Sequence, residues 1–190
     1  MNLIEETRTA ADVLPVAALK AHLRLASGFS DDGQQDALLE GYLRAAIAAI
    51  EGRTGKALIA RPFVLQLTRW RDVSTQPLPL APVAHVASVR VDGTEVVGWR
   101  LVQDMHRPRI VAPVLPTIPE GGVAEIVFTP GFGAWDAVPA DLAQAVLLLA
   151  AEYHEVRHEA GLRVSALPLQ VASLIERWRT VRLLGGAVCG

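Results

Sequence analysis

The sequence predicts an α+β fold: a bundle of about four helices with a β-rich insert between the second and third. Three observations carry this. Apolar residues recur at helical spacing in residues 14–24, 36–53, 138–159 and 173–184. Between residues 60 and 133 the period shortens to alternation, punctuated by proline and glycine. The order α-α, β-rich, α-α occurs once, without internal repeat or low-complexity stretch. The 190 residues therefore read as one domain: a helical hairpin (14–55), the insert (60–133), C-terminal helices (138–184) and a flexible tail (185–190).

Residues 1–12 are expected to be a mobile lead. In PVAALKAHLRL, Pro15 suits a first helical turn, and Val16, Leu19 and Leu23 form one stripe. ASGFSDDGQQ is a loop of turn formers. Leu38, Leu39, Tyr42, Leu43, Ala46, Ile47 and Ile50 then cover one broad face of a longer helix, which Gly52 and Gly55 end. RPFVLQLTRW alternates as a strand does. QPLPLAPVA reads as extended. HVASVRVDGTEVVGWRLV is expected to be a hairpin turning at Asp92-Gly93. RIVAP and VAEIVFTPGFG supply two further strands. Pro139 and Asp141 mark a helix start, and Gly161 its stop. RVSALPLQ is a connection, and SLIERWRTVRLL a short basic helix.

Composition narrows the function classes. Hydrophobic residues make up 51%, charged residues 20%, and the mean hydropathy is +0.30, on the apolar side for a soluble domain. No apolar run reaches the ~18 residues of a membrane span. The surplus apolar surface hints at burial in an oligomer. A net charge of −2 makes the whole chain a poor electrostatic match for nucleic acid. The start MNLIEETRTA lacks a signal-peptide pattern. Cys189, the single cysteine, excludes an intrachain disulfide and a cysteine-based zinc site. These features suit a cytoplasmic folding environment. No G-x-S-x-G, P-loop or dinucleotide fingerprint is present.

One motif carries chemistry on its face. HEVRH (154–158) matches H-E-x-x-H, in which a helix sets two imidazoles on one side to bind zinc and the glutamate activates a bound water. A third ligand is needed. Val164 stands where one zinc-protease pattern has its third histidine, while Glu176, 18 residues after His158, suits another. A small zinc metallohydrolase built on His154, Glu155, His158 and Glu176 is therefore one reading. The other is a solvated helix end, where histidines complement the dipole. The motif's place in the last turn and the short chain beyond it favour the second.

Other segments resemble a known family. Leu19, Lys20, His22, Leu23 and Arg24, followed by an alanine-rich helix closing on Glu51, Thr54, Gly55, Lys56 and Leu58, resemble the start of head–tail connector (adaptor) proteins of tailed bacteriophages and gene transfer agents. PLPLAPVAHVASVRV, FTPGFGAWDAVPADLAQAVLLLAAEYHEVRHE and LPLQVASLIERWRTVRL resemble that family's later segments in order and spacing, so the likeness runs from about residue 14 to 184. Glu155 and Arg157 fall on the family's Glu-x-Arg. His154 replaces an aromatic and His158 an acidic residue, so the zinc motif overlies a structural helix end. The proline-rich loop 112–122 departs from the pattern.

The resemblance implies a structural, non-enzymatic subunit without cofactor or metal. Such subunits assemble in the bacterial cytoplasm into a ring, usually of twelve copies, at the neck of the virion. The ring sits under the portal protein, extends the DNA channel and carries the stopper or tail. Double-stranded DNA passes without sequence-specific binding. Another neck or tail-completion protein is an alternative of the same kind. The alanine- and arginine-rich, lysine-poor usage leans towards a gene transfer agent.

Read back onto residues, a closed ring needs a head-to-tail interface. Ala45, Ala46, Ala48, Ala49, Ala150 and Ala151 permit close helix approach, within one subunit or between two. Arg177, Trp178, Arg179 and Arg182, of types enriched at hot spots, are the expected portal contact, together with the tail. The opposing expectation is that Trp178 sits in its own core. Arg69, Arg71, Arg90, Arg100, Arg107 and Arg109 are read as scattered over the insert rather than gathered into a DNA-binding patch.

Overall fold

Two hydrophobic cores organise the chain, which is described here from a computed structural model for residues 1–7, 9–24, 34–156 and 167–179. The first is helical. It unites α1 (Val16–His22), α2 (Gln34–Thr54), α3 (Ala140–Val156) and α4 (Leu169–Ile175). Leu39, Leu43 and Ile50 of α2 meet Leu142, Val146 and Leu149 of α3, all fully buried. Ala46, Ala145 and Ala150, also fully buried, keep side-chain bulk low in this core. Leu19 of α1 with Val171 and Ile175 of α4 closes the cluster.

Local chemistry sets the helix ends. Gly55 stops α2 at φ +67, donating its N–H to the Glu51 carbonyl at 2.8 Å, a left-handed terminus that favours glycine. The Pro139 carbonyl accepts the Ala143 N–H at 2.9 Å at the head of α3. Pro168 caps α4, so this helix starts earlier than the expected residue 173. Its first residues, Leu169 and Gln170, lie inside what reads as a connection, because proline fits the helix entry as well as it fits a loop. After α4 a 3-10 turn, Glu176–Trp178, replaces further α-helix. The loop 25–33, Gly161 and the chain from 180 onward lie outside the described residues.

The second core is β. A five-stranded antiparallel sheet has the order β1-β2-β8-β4-β5, with β1 Asn2–Glu5, β2 Phe63–Leu67, β4 Val83–Val91, β5 Thr94–Glu95 and β8 Ala124–Pro130. A three-stranded sheet has the order β3-β7-β6, with β3 Thr75–Pro77, β6 Arg100–Val102 and β7 Arg109–Val111. β8 is flanked on both sides, with Leu65↔Ile126 and Val89↔Ile126 in register. Its alternation buries Ala124, Ile126 and Phe128.

Two expectations need correcting. Residues 2–5 are a strand rather than a lead, with Leu3 opposite Leu65. The hairpin turns at Asp92 and Gly93, at φ 48 and 79, as expected of a two-residue turn. Its return arm does not continue to residue 102, however. Gly98 turns the chain at φ 77, and β6 leaves for the second sheet.

Candidate functional site

The chain passes from the helical core to the β core between Ile59 and Phe63, and returns between Pro130 and Phe132. The two crossings run side by side. The Ala60 N–H donates to the Gly133 carbonyl (2.8 Å), Arg61 N–H to Pro130 (3.3 Å) and Phe132 N–H to Leu58 (3.2 Å). A Cβ on Gly131 would lie 2.5 Å from the Ala60 Cα, so only glycine lets the crossings touch. An ion pair clamps them to α2. Glu51 accepts from Arg61 Nη1 (3.0 Å) and Nη2 (2.8 Å), and from the Leu58 N–H (2.7 Å). Glu5 of β1 accepts from Arg61 Nε at 2.8 Å. Burial works against the guanidinium, but Glu51 and then Glu5 outweigh it and raise its pKa.

The end of α2 is polar and buried. Thr54 donates its hydroxyl to the Ile50 carbonyl (2.8 Å) and accepts the Lys56 N–H (3.2 Å). Lys56 is 0% exposed. Its Nζ donates to the Met105 carbonyl (2.6 Å) and lies 3.1 Å from His106 Nδ1. Burial lowers the pKa of this ammonium, with Asp104 acting the other way.

The residues singled out from the sequence fall elsewhere. Trp178 Nε1 donates to Asp141 Oδ2 at 2.7 Å, and its ring meets Phe132 edge-on at 5.6 Å. Arg177 also donates to Asp141 Oδ2 (2.7 Å) and its guanidinium stacks 4.7 Å from the Trp178 ring. Burial pushes the Asp141 carboxyl up, but hydrogen bonds from Arg177, Trp178 and the Leu142 N–H prevail and hold it below its ordinary value. Arg179 pairs with Glu176 at 3.0 Å and is exposed. Arg182 lies outside the described residues. Trp178 thus packs at the edge of its own core, and Arg177 and Arg179 are the members that reach solvent.

Only part of HEVRH is described. The His154 ring stands edge-on to Tyr42 of α2 at 6.1 Å, and Glu155 is exposed. Arg157 and His158 lie outside the described residues. Glu176, the third ligand of the hydrolase reading, is engaged by Arg179. The described residues hold no group of three or more metal-ligating side chains. No helix among them is long and apolar enough to cross a membrane.

What the sequence reading missed is the junction itself. Glu51, Thr54, Gly55, Lys56, Leu58, Gly131, Phe132 and Gly133 stand in two separate motifs, and the fold brings them together. Their mutual spacing was the available signal; their partners Arg61 and His106 carried none.

Neither a family model nor a curated protein matches the chain. Solved structures do. A chain in the neck of an empty gene transfer agent (GTA) particle, computed with C6 symmetry, is 58% identical over 98% of this chain and 99% of that one, with a TM-score of 0.89. A chain from the virion of a native gene transfer agent particle is 57% identical over 98% and 99%, with a TM-score of 0.86. A chain from the neck of a native GTA particle, computed with C12 symmetry, is 54% identical over 98% and 99%, with a TM-score of 0.84.

Proposed function

We propose that this chain, which belongs to the head–tail connector (adaptor) family of tailed bacteriophages and gene transfer agents, is a structural subunit of a particle neck. It forms a ring of twelve copies beneath the portal, extends the DNA channel, and joins capsid to tail without catalysing a reaction. The observation that carries this reading is 58% identity, end to end, with a chain of a gene transfer agent neck. The twelvefold count draws on the C12 symmetry applied to a related neck.

The geometry supplies the means. A ring requires each copy to present two different surfaces to its neighbours. On α2, Ala46 is consumed by its own core, whereas Ala45 and Ala48 are exposed, in helical register with exposed Gly41 and Gly52. A neighbouring helix approaches closely along that edge. Elsewhere on the helical half, Asp141 and the Trp178 ring hold Arg177 in place while leaving it solvent-facing. Arg177 and Arg179, with Arg182, are the portal contact, and Trp178 orients rather than inserts. A net charge of −2 limits the lysine and arginine contacts that would retain passing DNA.

The test is the paired substitution Arg177→Gln, Arg179→Gln, at two exposed positions where glutamine removes the charge but can still donate to Asp141 and Glu176. The variant is expected to fold normally and fail to join portal-bearing heads, leaving tailless particles. Normal tailed particles from that variant would refute the portal contact. Normal particles from cells lacking the chain altogether would refute the neck role.

A further inference from the structure

Lys56 is wholly buried, yet no described carboxylate forms an ion pair with it. Its ammonium is covered by a surface loop, Gln103 to Arg107, whose five residues are all exposed. Asp104 shapes that loop. Its Oδ1 accepts the His106 N–H (2.7 Å) and the Arg107 N–H (2.8 Å), an Asx turn that sets the imidazole over Lys56. The far end is anchored where the Pro108 carbonyl accepts the Leu78 N–H at 2.9 Å. An ammonium can only donate. With Lys56 Nζ 3.1 Å away, His106 Nδ1 must offer its lone pair, which places the ring proton on Nε2.

Protonation of His106 removes that lone pair. Nδ1 becomes a donor facing a donor, and two cations stand in contact. We propose that Lys56 and His106 form a proton-operated latch. A neutral His106 holds the 103–107 loop over the buried ammonium, and a protonated His106 releases it. Release admits water to Lys56 and widens the groove that Gln103, Asp104 and Met105 share with Pro82, Ala84 and Gly131 at the crossing between the two cores.

The charged groups acting on His106 are Lys56 and Arg107, which oppose its charge, and Asp104, which favours it; Arg109 in turn acts on Asp104. Burial first, and then Lys56, hold the ring below the ordinary value of 6.5. The sign follows: the closed latch binds its proton less readily than the open one. Closure is therefore complete above the ordinary histidine value and is lost as pH falls through the lowered one. The latch does not depend on the neck reading, since it rests on contacts within one subunit.

Nitrogen-detected NMR of the full chain reads the His106 tautomer and titration, while hydrogen exchange, corrected for intrinsic rates, reads residues 100–112 from pH 8 to pH 5. The wild type is expected to show the Nε2–H tautomer, titration below 6.5, and at least a tenfold rise in exchange of the loop with acid. His106→Asn, which keeps an acceptor near the Nδ1 position but does not titrate, should keep the loop closed and flatten the response. Lys56→Met should loosen the loop at every pH and move the His106 titration back towards its ordinary value. An Nδ1–H tautomer, an unshifted His106, or acid loosening that survives in His106→Asn would each overturn the latch. The asparagine variant stands as a test even where Lys56→Met does not fold.

Discussion

The helical half and the β half of this protein solve the same packing problem by different means. In the helical half, leucines and isoleucines interlock around alanines, as at Leu43, Ala46, Val146 and Ala150, and the periodicity of each helix alone fixes the face it buries. In the β half, Phe63, Leu65, Ile126, Phe128 and Val89 meet only because neighbouring strands keep register. Besides the passage from β1 to α1, the halves join at the paired crossings at 58–61 and 130–133 with Glu51 and Arg61. Much of the sequence signature of the family therefore serves the coupling of the two cores rather than either core alone.

That comparison can be broken at the paired crossings. Gly131→Ala drives a methyl into the Ala60 backbone, and we expect it to destabilise the protein by about 4 kcal/mol, with helical and sheet probes shifting together in chemical denaturation. Sheet loss while helical amides stay protected would show that the halves are not coupled there. Equal damage to each core sharpens the contrast. Leu149→Ala in the helical core and Leu65→Ala in the sheet, both fully buried, should each cost about 3 kcal/mol. Glu51→Ala leaves Arg61 with the more exposed Glu5 as its remaining described carboxylate, beside the Ile59 carbonyl. An effect of about 2 kcal/mol is expected, below that of a fully buried pair because both side chains keep 12% exposure.

The smallest effect belongs to Asp141→Asn, about 1 kcal/mol at neutral pH, since the carboxylate bonds to Arg177 are largely solvent-facing. Its signature is in acid. The Asp141 carboxyl is depressed below 3.8 in the fold, so its contribution is full above that value and is lost as pH falls through the lowered one. The asparagine variant should show a flatter acid limb in thermal melts across that window.

The helical half was largely legible in the sequence. α2 appears within about two residues of both expected ends and α3 within about two of its expected start, because periodicity, Gly55, Pro139 and Asp141 are local signals. The expected end of α3 lies outside the described residues, and Leu38, expected on the apolar face of α2, is exposed. The Asp92-Gly93 turn and strands β2 and β8 were legible for the same reason. β1 was not: NLIE carries too little pattern to stand apart, and β2, which pairs with it, lies about sixty residues away. The split into two sheets was hidden because the departure of β6 depends on Gly98 and on pairing with β7. At the candidate site, Arg177 and Trp178 stood out by residue type, but Asp141, which binds both, is 36 and 37 residues away. Lys56 and His106, 50 residues apart, met only in the fold.

Imaging of assembled particles at side-chain resolution, with this sequence built into the neck density, tests the central claim most directly. Twelve copies in a closed ring against the portal, with the exposed α2 edge in contact with the next subunit and Arg177 on the portal face, is the outcome this account predicts. A neck whose density fits a different polypeptide, or this chain found as isolated subunits away from the portal, would contradict it.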